Sequence, residues 1–388
     1  MTIALVRSPT AAAPAGTRRH VRALDGIRGL AVLLVMGHHF LMNFPAIGGR
    51  DAFFLSFLRA GWFGVDLFFV LSGYLITGIL LDAKNRPHAI RNFYIRRALR
   101  IFPLYFAILA ICTLLLPALF PSANPAPRAA LPWLWTYTSN FYNAHGGWLA
   151  GDWFDFSHLW SLAIEEHFYL LWPWLILFVP ERRLIPACIT LLVTVILLRT
   201  AYSTAFPDDV NGPYLLTPFR CDGLILGGLL AMIHRTRGLD QIERPARLLL
   251  TGGTILLIAA IARFGGIPRP AGPAGCWTYT GLALLFTALV AVALTSPSLN
   301  ALFSHQALRT LGKYSYALYL FHWLLRPMFL KLMTSSSIST VATTRGAALV
   351  AILLWIAATA VCTFLSWNLL ERPCLALKDR WAPPEAAP

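Results

Sequence analysis

The 388-residue sequence has few charged side chains, and acidic ones are the scarcest. Charged residues make up 13% of the chain, with 17 Asp and Glu residues against 32 Lys and Arg residues. Soluble domains carry roughly a quarter charged residues, so this chain has too little polar surface to coat a large water-facing body. An apolar content of 57% and a mean hydropathy of +0.63 indicate an integral membrane protein.

Cysteine patterns that would indicate metal binding or disulfides are also missing. The six cysteines are isolated and mostly lie in apolar runs, without a CxxC pair or a Cys/His spacing typical of zinc. We therefore expect no metal site and no tightly bound cofactor. The net charge of +15 does not indicate a nucleic-acid partner, because the basic residues lie between hydrophobic blocks rather than along one helix face.

Ten apolar blocks approach the roughly 20 residues that a helix needs to cross a bilayer. They predict an all-α fold, a bundle of about ten transmembrane helices in a multi-pass protein of the cell inner (plasma) membrane. We expect a basic cytoplasmic segment at 1–21, the membrane domain at 22–373 and a cytoplasmic tail at 374–388. The blocks are 22–43, 60–82, 98–119, 158–179, 184–203, 214–234, 246–264, 274–295, 312–333 and 346–370.

The positions of Lys and Arg predict the orientation of these spans. With the N-terminus inside, the cytoplasmic segments and their flanks hold about three times as many basic residues as the outer ones, as the positive-inside rule requires. The predicted topology is N-in and C-in. The longest connection, 120–157, then lies outside and is rich in Trp and Tyr, which fits an interfacial aromatic belt or a lid that stacks on sugars.

Ionisable side chains inside predicted spans are costly and indicate function. Arg28 and His39 are eleven residues apart on the first span, which places them on nearly the same helical face about 16 Å apart. Arg28 could instead extend to the inner interface or pair with Asp25, and an isolated histidine is often a structural residue of a bundle.

The depths of the other buried charges favour a functional cavity. Counted from the outer end of each span, most lie within about 5–15 Å of the outer boundary, which predicts a polar cavity open to the outside. A neutral histidine there can accept a proton from a hydroxyl while a carboxylate steadies its charged form. The layer comprises His39, Asp66, Glu165, Glu166, Arg199, Arg220, Asp222 and Arg326, with His322 near the midplane.

Several motifs together resemble the acyltransferase-3 family of membrane O-acyltransferases, over about residues 20–378. They are LDGIRGLAVLLVMGHHF (24–40), GWFGVDLFFVLSGYLITGIL (61–80), NFYIRRALRIFPLYF (92–106), HLWSLAIEEHFYLLWP (158–173), FRCDGLILGGLLA (219–231), YSYALYLFHW (314–323) and LLERP (369–373). The chain resembles the stand-alone type, without a fused C-terminal hydrolase-like domain.

The resemblance implies transfer of an acyl group, most often acetyl, from cytoplasmic acyl-CoA as a co-substrate to a hydroxyl of a carbohydrate or glycoconjugate at the outer face. The partners implied are the bilayer, acyl-CoA and a carbohydrate, lipid-linked glycan or other hydroxyl acceptor. The expected catalytic residues are His39, Asp66, Glu165 and Glu166, with His38 as a competing base. Donor binding is expected at Arg28, Arg97, Arg100, Ser72 and Gly73, and acceptor binding or cavity lining at His158, Trp160, Ser161, Arg220, Asp222, Tyr319 and His322.

Some of these assignments have structural alternatives. Positive-inside sorting alone would place Arg97 and Arg100 near the cytoplasmic side, and Gly73 could serve tight helix packing. Two other functions also fit intramembrane His, Glu and Arg. One is a transporter or flippase, against which the sequence lacks clear paired half-repeats. The other is a relay that passes acyl groups to a partner enzyme.

Overall fold

The computed structural model describes residues 21–42, 56, 58–120, 127–264, 272–334 and 345–383. Within these residues it is predominantly helical, without a β-strand, and ten helices have sixteen residues or more. They are α1 (Arg22–Leu41), α2 (Gly64–Ala83), α3 (Ala89–Ala110), α4 (Trp160–Phe178), α5 (Glu181–Ala205), α6 (Asp222–Arg237), α7 (Asp240–Phe264), α8 (Gly272–Thr295), α9 (Gln306–Leu324) and α10 (Arg345–Ser366). Most of the predicted 1–21 segment and the last five residues of the predicted tail lie outside the described residues.

Six of the described helical segments are long and apolar enough to cross a membrane. They are Arg22–Leu41, Ala60–Ala83, Ala89–Leu119, Glu181–Ala205, Trp277–Thr295 and Leu349–Trp381. Peripheral helices expose large apolar side chains, such as Leu197 on α5 and Leu256 on α7, which are 62% and 73% exposed. A surface of this kind suits contact with lipid rather than water. The protein is therefore a multi-pass membrane protein, while the count of ten spans and the N-in orientation stay predictions.

Two helix crossings bring backbones into direct contact and fix the centre of the bundle. On α2, a Cβ at Gly73 would clash with the carbonyl of Leu224 on α6, and one at Gly227 would clash with the carbonyl of Val70. On α1, a Cβ at Gly29 would clash with the carbonyl of Leu308 on α9. Small residues allow such close approach between membrane helices.

Three of the predicted blocks differ from the helices in ways that affect the site or the path of the chain. The third helix begins at Ala89 rather than at 98, so Arg97 and Arg100 lie on a helix and not in or beside a loop. The sixth block is broken into Asn211–Leu215, Thr217–Arg220 and α6, because Pro213 and Pro218 favour short helical starts over one continuous span. The ninth block is likewise divided, between α9 and the short helix Arg326–Thr334.

Candidate active site

A space of about 130 Å³, here called the arginine cavity, lies between α1, α2, α3, α4 and α9. Three guanidinium groups reach it, from Arg28 on α1 and from Arg97 and Arg100 on α3. Such a concentration of positive charge within a helix bundle suits an anionic ligand, because electrostatic attraction strengthens as the local dielectric falls. Its lining is Arg28, Val65, Phe68, Phe69, Ser72, Leu75, Ile76, Arg97, Arg100, Ile101, Ser161, Leu162, Glu165, Tyr169, Ser315, Tyr316 and Tyr319.

A hydrogen-bonded chain organises one wall of the arginine cavity. Tyr169 donates to Ser72 Oγ (3.1 Å), and Ser72 donates to Glu165 Oε1 (2.5 Å). The guanidinium of Arg97 lies over the rings of Tyr169 (5.4 Å) and Phe93 (5.9 Å). Cation–π stacking of this kind holds a guanidinium in place while leaving its N–H groups at the edge of the plane.

A second space of about 300 Å³, here called the histidine cavity, lies at the other end of α1. Four tryptophans and Tyr214 give it broad aromatic faces, and three histidines, Asp155 and Arg326 supply polar groups. A concave, mostly aromatic space with a few polar groups is typical of a small-molecule site. Its lining is Val35, His38, His39, Met42, Trp62, Val65, Trp148, Ala150, Asp155, Ser157, His158, Trp160, Tyr214, Tyr319, Trp323 and Arg326.

The two neighbouring histidines of α1 have different partners. His39 Nδ1 lies 2.8 Å from His322 Nε2 on α9, and its ring lies against those of His322 (5.0 Å) and Trp323 (4.1 Å). His38 instead hydrogen-bonds through Nδ1 to the carbonyl of Arg59. Both rings line the histidine cavity, and that of His39 is bonded there to a second histidine.

Val65 and Tyr319 line both cavities and therefore mark their junction. The Tyr319 hydroxyl donates to the carbonyl of His158 (3.0 Å) and lies 2.6 Å from Ser161 Oγ. His158 is fixed in turn by a hydrogen bond from its Nε2 to the carbonyl of Leu320 (3.1 Å). The predicted positions His158, Ser161 and Tyr319 thus meet at one place, through contacts between α9 and the start of α4.

Three of the predicted site residues form a separate buried charge cluster. Asp66 pairs with Arg220 (2.9 Å), and Asp222 pairs with Arg199 (2.9 Å), all at most 2% exposed. Thr280 on α8 joins the second pair by donating to Asp222 Oδ2 (3.0 Å). Within the described residues, Asp66, Arg220 and Asp222 line neither cavity. Their charged groups form ion pairs within the cluster instead.

Three further predicted residues also lie beside the cavities rather than in their walls. Gly73 packs against the backbone of Leu224 where α2 crosses α6. This is the helix-packing alternative considered from the sequence. Glu166 is adjacent to Glu165, but the described lining of the arginine cavity contains Glu165 alone of the two. His322 is fully buried behind His39. No group of three or more His, Cys, Asp or Glu side chains suited to a metal ion occurs among the described residues.

A comparison with known protein families identifies the family of this chain. Residues 21–371 match the family described as an acyltransferase domain, acyltransferase 3. The chain belongs to the acyltransferase-3 family. The match includes α1 to α10 and hence every residue that lines either cavity.

Curated relatives of this acyltransferase-3 chain are O-acetyltransferases. The peptidoglycan O-acetyltransferase OatA of Listeria monocytogenes is 30% identical over 325 residues, which cover 79% of this chain and 49% of the relative. The O-acetyltransferase OatA of Staphylococcus aureus is 31% identical, covering 79% and 50%, and the putative peptidoglycan O-acetyltransferase YrhL of Bacillus subtilis is 29% identical, covering 79% and 48%. The chain therefore spans about half the length of the curated relatives it matches. No solved structure matches it.

The site of this acyltransferase-3 protein also contains residues that its motifs did not single out. Trp148 and Asp155 come from the long connection before α4, and the carboxylate of Asp155 lies 3.6 Å from Arg326. Asp155 also accepts a hydrogen bond from the backbone of Ser157 (2.9 Å), which fixes its side chain. The aromatic richness of the 120–157 segment was a usable signal for Trp148, whereas the position of Asp155 depends on the loop path.

Proposed function

We propose that this protein is a membrane O-acyltransferase that moves an acetyl group from cytoplasmic acetyl-CoA to a hydroxyl of a carbohydrate at the outer face of the plasma membrane. The observation that carries the proposal is the pair of cavities that share Val65 and Tyr319. One is lined by arginines and the other by histidines and tryptophans, as a donor side and an acceptor side require. The relatives' names support acetyl as the group and peptidoglycan as the acceptor class.

The donor enters the arginine cavity in this proposal. The planar guanidinium fork binds phosphate oxygens through paired hydrogen bonds, and Arg28, Arg97 and Arg100 all line this space. The thin pantetheine arm of the coenzyme runs from these phosphate contacts toward the junction with the histidine cavity. Arg28 and His39 lie about 16 Å apart along α1, a gap that this arm spans to bring the thioester to the junction.

The acceptor enters the histidine cavity. Sugar rings present C–H faces that pack on aromatic side chains, and Trp148 and Tyr214 offer such faces. Asp155 and Arg326 provide an acceptor and a donor of hydrogen bonds for ring hydroxyls at the same wall. The long connection before α4 thereby contributes to acceptor binding as well as to the membrane interface.

His39 acts as the general base. Its ring accepts the proton of the acceptor hydroxyl, whose oxygen attacks the thioester carbonyl carbon and forms the new ester C–O bond. The C–S bond breaks, and the coenzyme A thiolate leaves and takes up the proton that the His39 imidazolium releases. The base is thus next to the acceptor, while the leaving group departs along the arginine cavity, and no covalent acyl-enzyme is required.

The test compares His39→Ala with its neighbour His38→Ala in proteoliposomes supplied with acetyl-CoA and a soluble peptidoglycan fragment. A positioned general base contributes about 10²- to 10⁴-fold, so His39→Ala is expected to lower kcat per folded molecule by that factor. His38→Ala should lose far less. Full acetyl transfer by His39→Ala, or an equal loss in both variants, would overturn the assignment.

A further inference from the structure

His322 is held in one orientation by its own helix. Its Nδ1 lies 2.7 Å from the carbonyl oxygen of Tyr319 and 3.1 Å from that of Leu318. A carbonyl oxygen only accepts, so Nδ1 must be the nitrogen that carries the hydrogen. The ring is fully buried, and a buried imidazole held by neutral carbonyls is favoured in its neutral form, because burying a charge is costly. Its Nε2 is therefore left with a lone pair.

The orientation of His322 determines that of His39. Since His322 Nε2 is an acceptor and lies 2.8 Å from His39 Nδ1, the hydrogen of the His39 ring must be on Nδ1. The lone pair of His39 then lies on Nε2. In the opposite tautomer the two facing nitrogens would both be acceptors, and the 2.8 Å contact would be repulsive. The two rings are inclined by only 17° with centroids 5.0 Å apart, a separation that fits a hydrogen bond in the shared plane of the rings.

We infer that His322 is a positioning residue that fixes the tautomer and ring orientation of His39, in the place where many hydrolases use a carboxylate. The inference rests on the proposed function, in which His39 is the base. When His39 Nε2 takes the acceptor's proton, the hydrogen on Nδ1 stays in place and the imidazolium donates a stronger, charge-assisted hydrogen bond to His322. No proton needs to move to His322.

Nearby carboxylates have other partners, which explains why a histidine has this role. Asp66, expected from the sequence to support the His39 ring, pairs with Arg220 at 2.9 Å. Glu165, the other candidate, accepts from Ser72 at 2.5 Å in the wall of the arginine cavity. A neutral orienting group also avoids placing a negative charge beside the reacting centre, where the acceptor oxygen itself becomes negative.

Two isosteric substitutions separate the orienting role from a merely structural one. In His322→Gln, the amide reaches the former Nε2 position and its oxygen can accept from His39, but the bonds to the α9 carbonyls are lost. In His322→Asn, the amide replaces Nδ1 and keeps a carbonyl bond, but nothing reaches His39. Activity should therefore decrease from the wild type to His322→Gln and then to His322→Asn. Stability should decrease from the wild type to His322→Asn and then to His322→Gln.

The measurements are kcat, the KM for acetyl-CoA and the thermal midpoint of each variant in detergent. Loss of a hydrogen bond from a charged donor changes an equilibrium by roughly ten- to a hundredfold, so we expect His322→Asn to lower kcat at least about tenfold and His322→Gln markedly less, with the donor KM unchanged in both. Equal loss of kcat in the two variants, or activity that follows the stability order, would overturn the inference.

A direct reading of the tautomer covers the case in which neither variant folds. ¹⁵N solid-state NMR spectra of the wild-type protein labelled at its histidine rings distinguish protonated from unprotonated Nδ1, with His39 identified by its absence from the spectrum of His39→Gln. A hydrogen on Nε2 of His39 would refute the inference. If His39→Ala were fully active, the proposed function itself would fail; if His39→Ala were inactive and the His322 variants behaved alike, the inference alone would fail.

Discussion

Replacing Asp66 with Asn tests whether the buried charge cluster is structural or catalytic. The substitution keeps the side-chain volume but removes the negative charge 2.9 Å from Arg220. Arg220 would keep its stacking on Tyr279, at 4.4 Å, but it would be left 0% exposed without its paired carboxylate. Breaking a buried ion pair by removing one partner costs about 3–5 kcal/mol, which for a chain of this length corresponds to a fall in thermal midpoint of roughly 3–6 °C.

The assay follows unfolding of the purified protein in detergent by tryptophan fluorescence and measures turnover per folded molecule. We expect a lower midpoint with kcat close to that of the wild type, because Asp66 lines neither cavity in the described structure. The double variant Asp66→Leu with Arg220→Met is the control, since apolar replacement of both partners restores most of the lost stability. An unchanged midpoint together with a large loss of kcat would refute this reasoning and return Asp66 to the catalytic role that its position in the sequence suggested.

Two further substitutions separate the donor and acceptor ends. Arg97→Lys keeps the positive charge but loses the guanidinium fork and the stacking on Tyr169, so the KM for acetyl-CoA should rise about tenfold. The control is the same substitution at the exposed Arg91. An equal rise of the KM in Arg91→Lys would indicate a general charge effect. Trp148→Ala should raise the KM for a peptidoglycan fragment several-fold while the KM for acetyl-CoA stays unchanged. Trp153 lies outside both described linings, so Trp153→Ala should leave both KM values unchanged. Equal effects of the two substitutions would indicate that these tryptophans act at the membrane interface.

The helical elements were predictable because their cause is local. Runs of apolar residues define most of the helices, and each of the ten predicted blocks overlaps a long described helix. The predicted helix boundaries were wrong where proline interrupts an apolar block, as at Pro218. They were also wrong where basic residues extend a helix beyond its apolar part, as at Arg91 and Arg97. Hydropathy alone does not separate these cases, since arginine has good helix propensity and a long side chain that can reach water from within a helix.

The two ends of α1 were predictable for the same reason. Arg28 and His39 share a helical face by spacing alone, and the structure places them in the arginine cavity and the histidine cavity. Their partners were not predictable. His39 and His322 are 283 residues apart in the chain, and only the crossing of α1 with α9, made possible by Gly29, brings their rings together.

Buried charges were the least predictable part of the site. Depth along a span places Asp66, Arg220 and His39 in one layer, but depth does not give the direction in which a side chain points across the bundle. The structure turns the first two toward each other and the third toward the histidine cavity. An ion pair satisfies two costly groups at once, so charges at equal depth pair readily and only the remainder are available to a cavity.

The most direct test of the account is transfer across a sealed membrane. Proteoliposomes containing the purified protein would be loaded with a soluble peptidoglycan fragment, and radiolabelled acetyl-CoA, which does not cross the bilayer, would be added outside. The account predicts acetyl ester on the trapped fragment and free coenzyme A outside, with both lost in His39→Ala. Acetylation only when donor and fragment share one compartment would contradict the path from the arginine cavity to the histidine cavity.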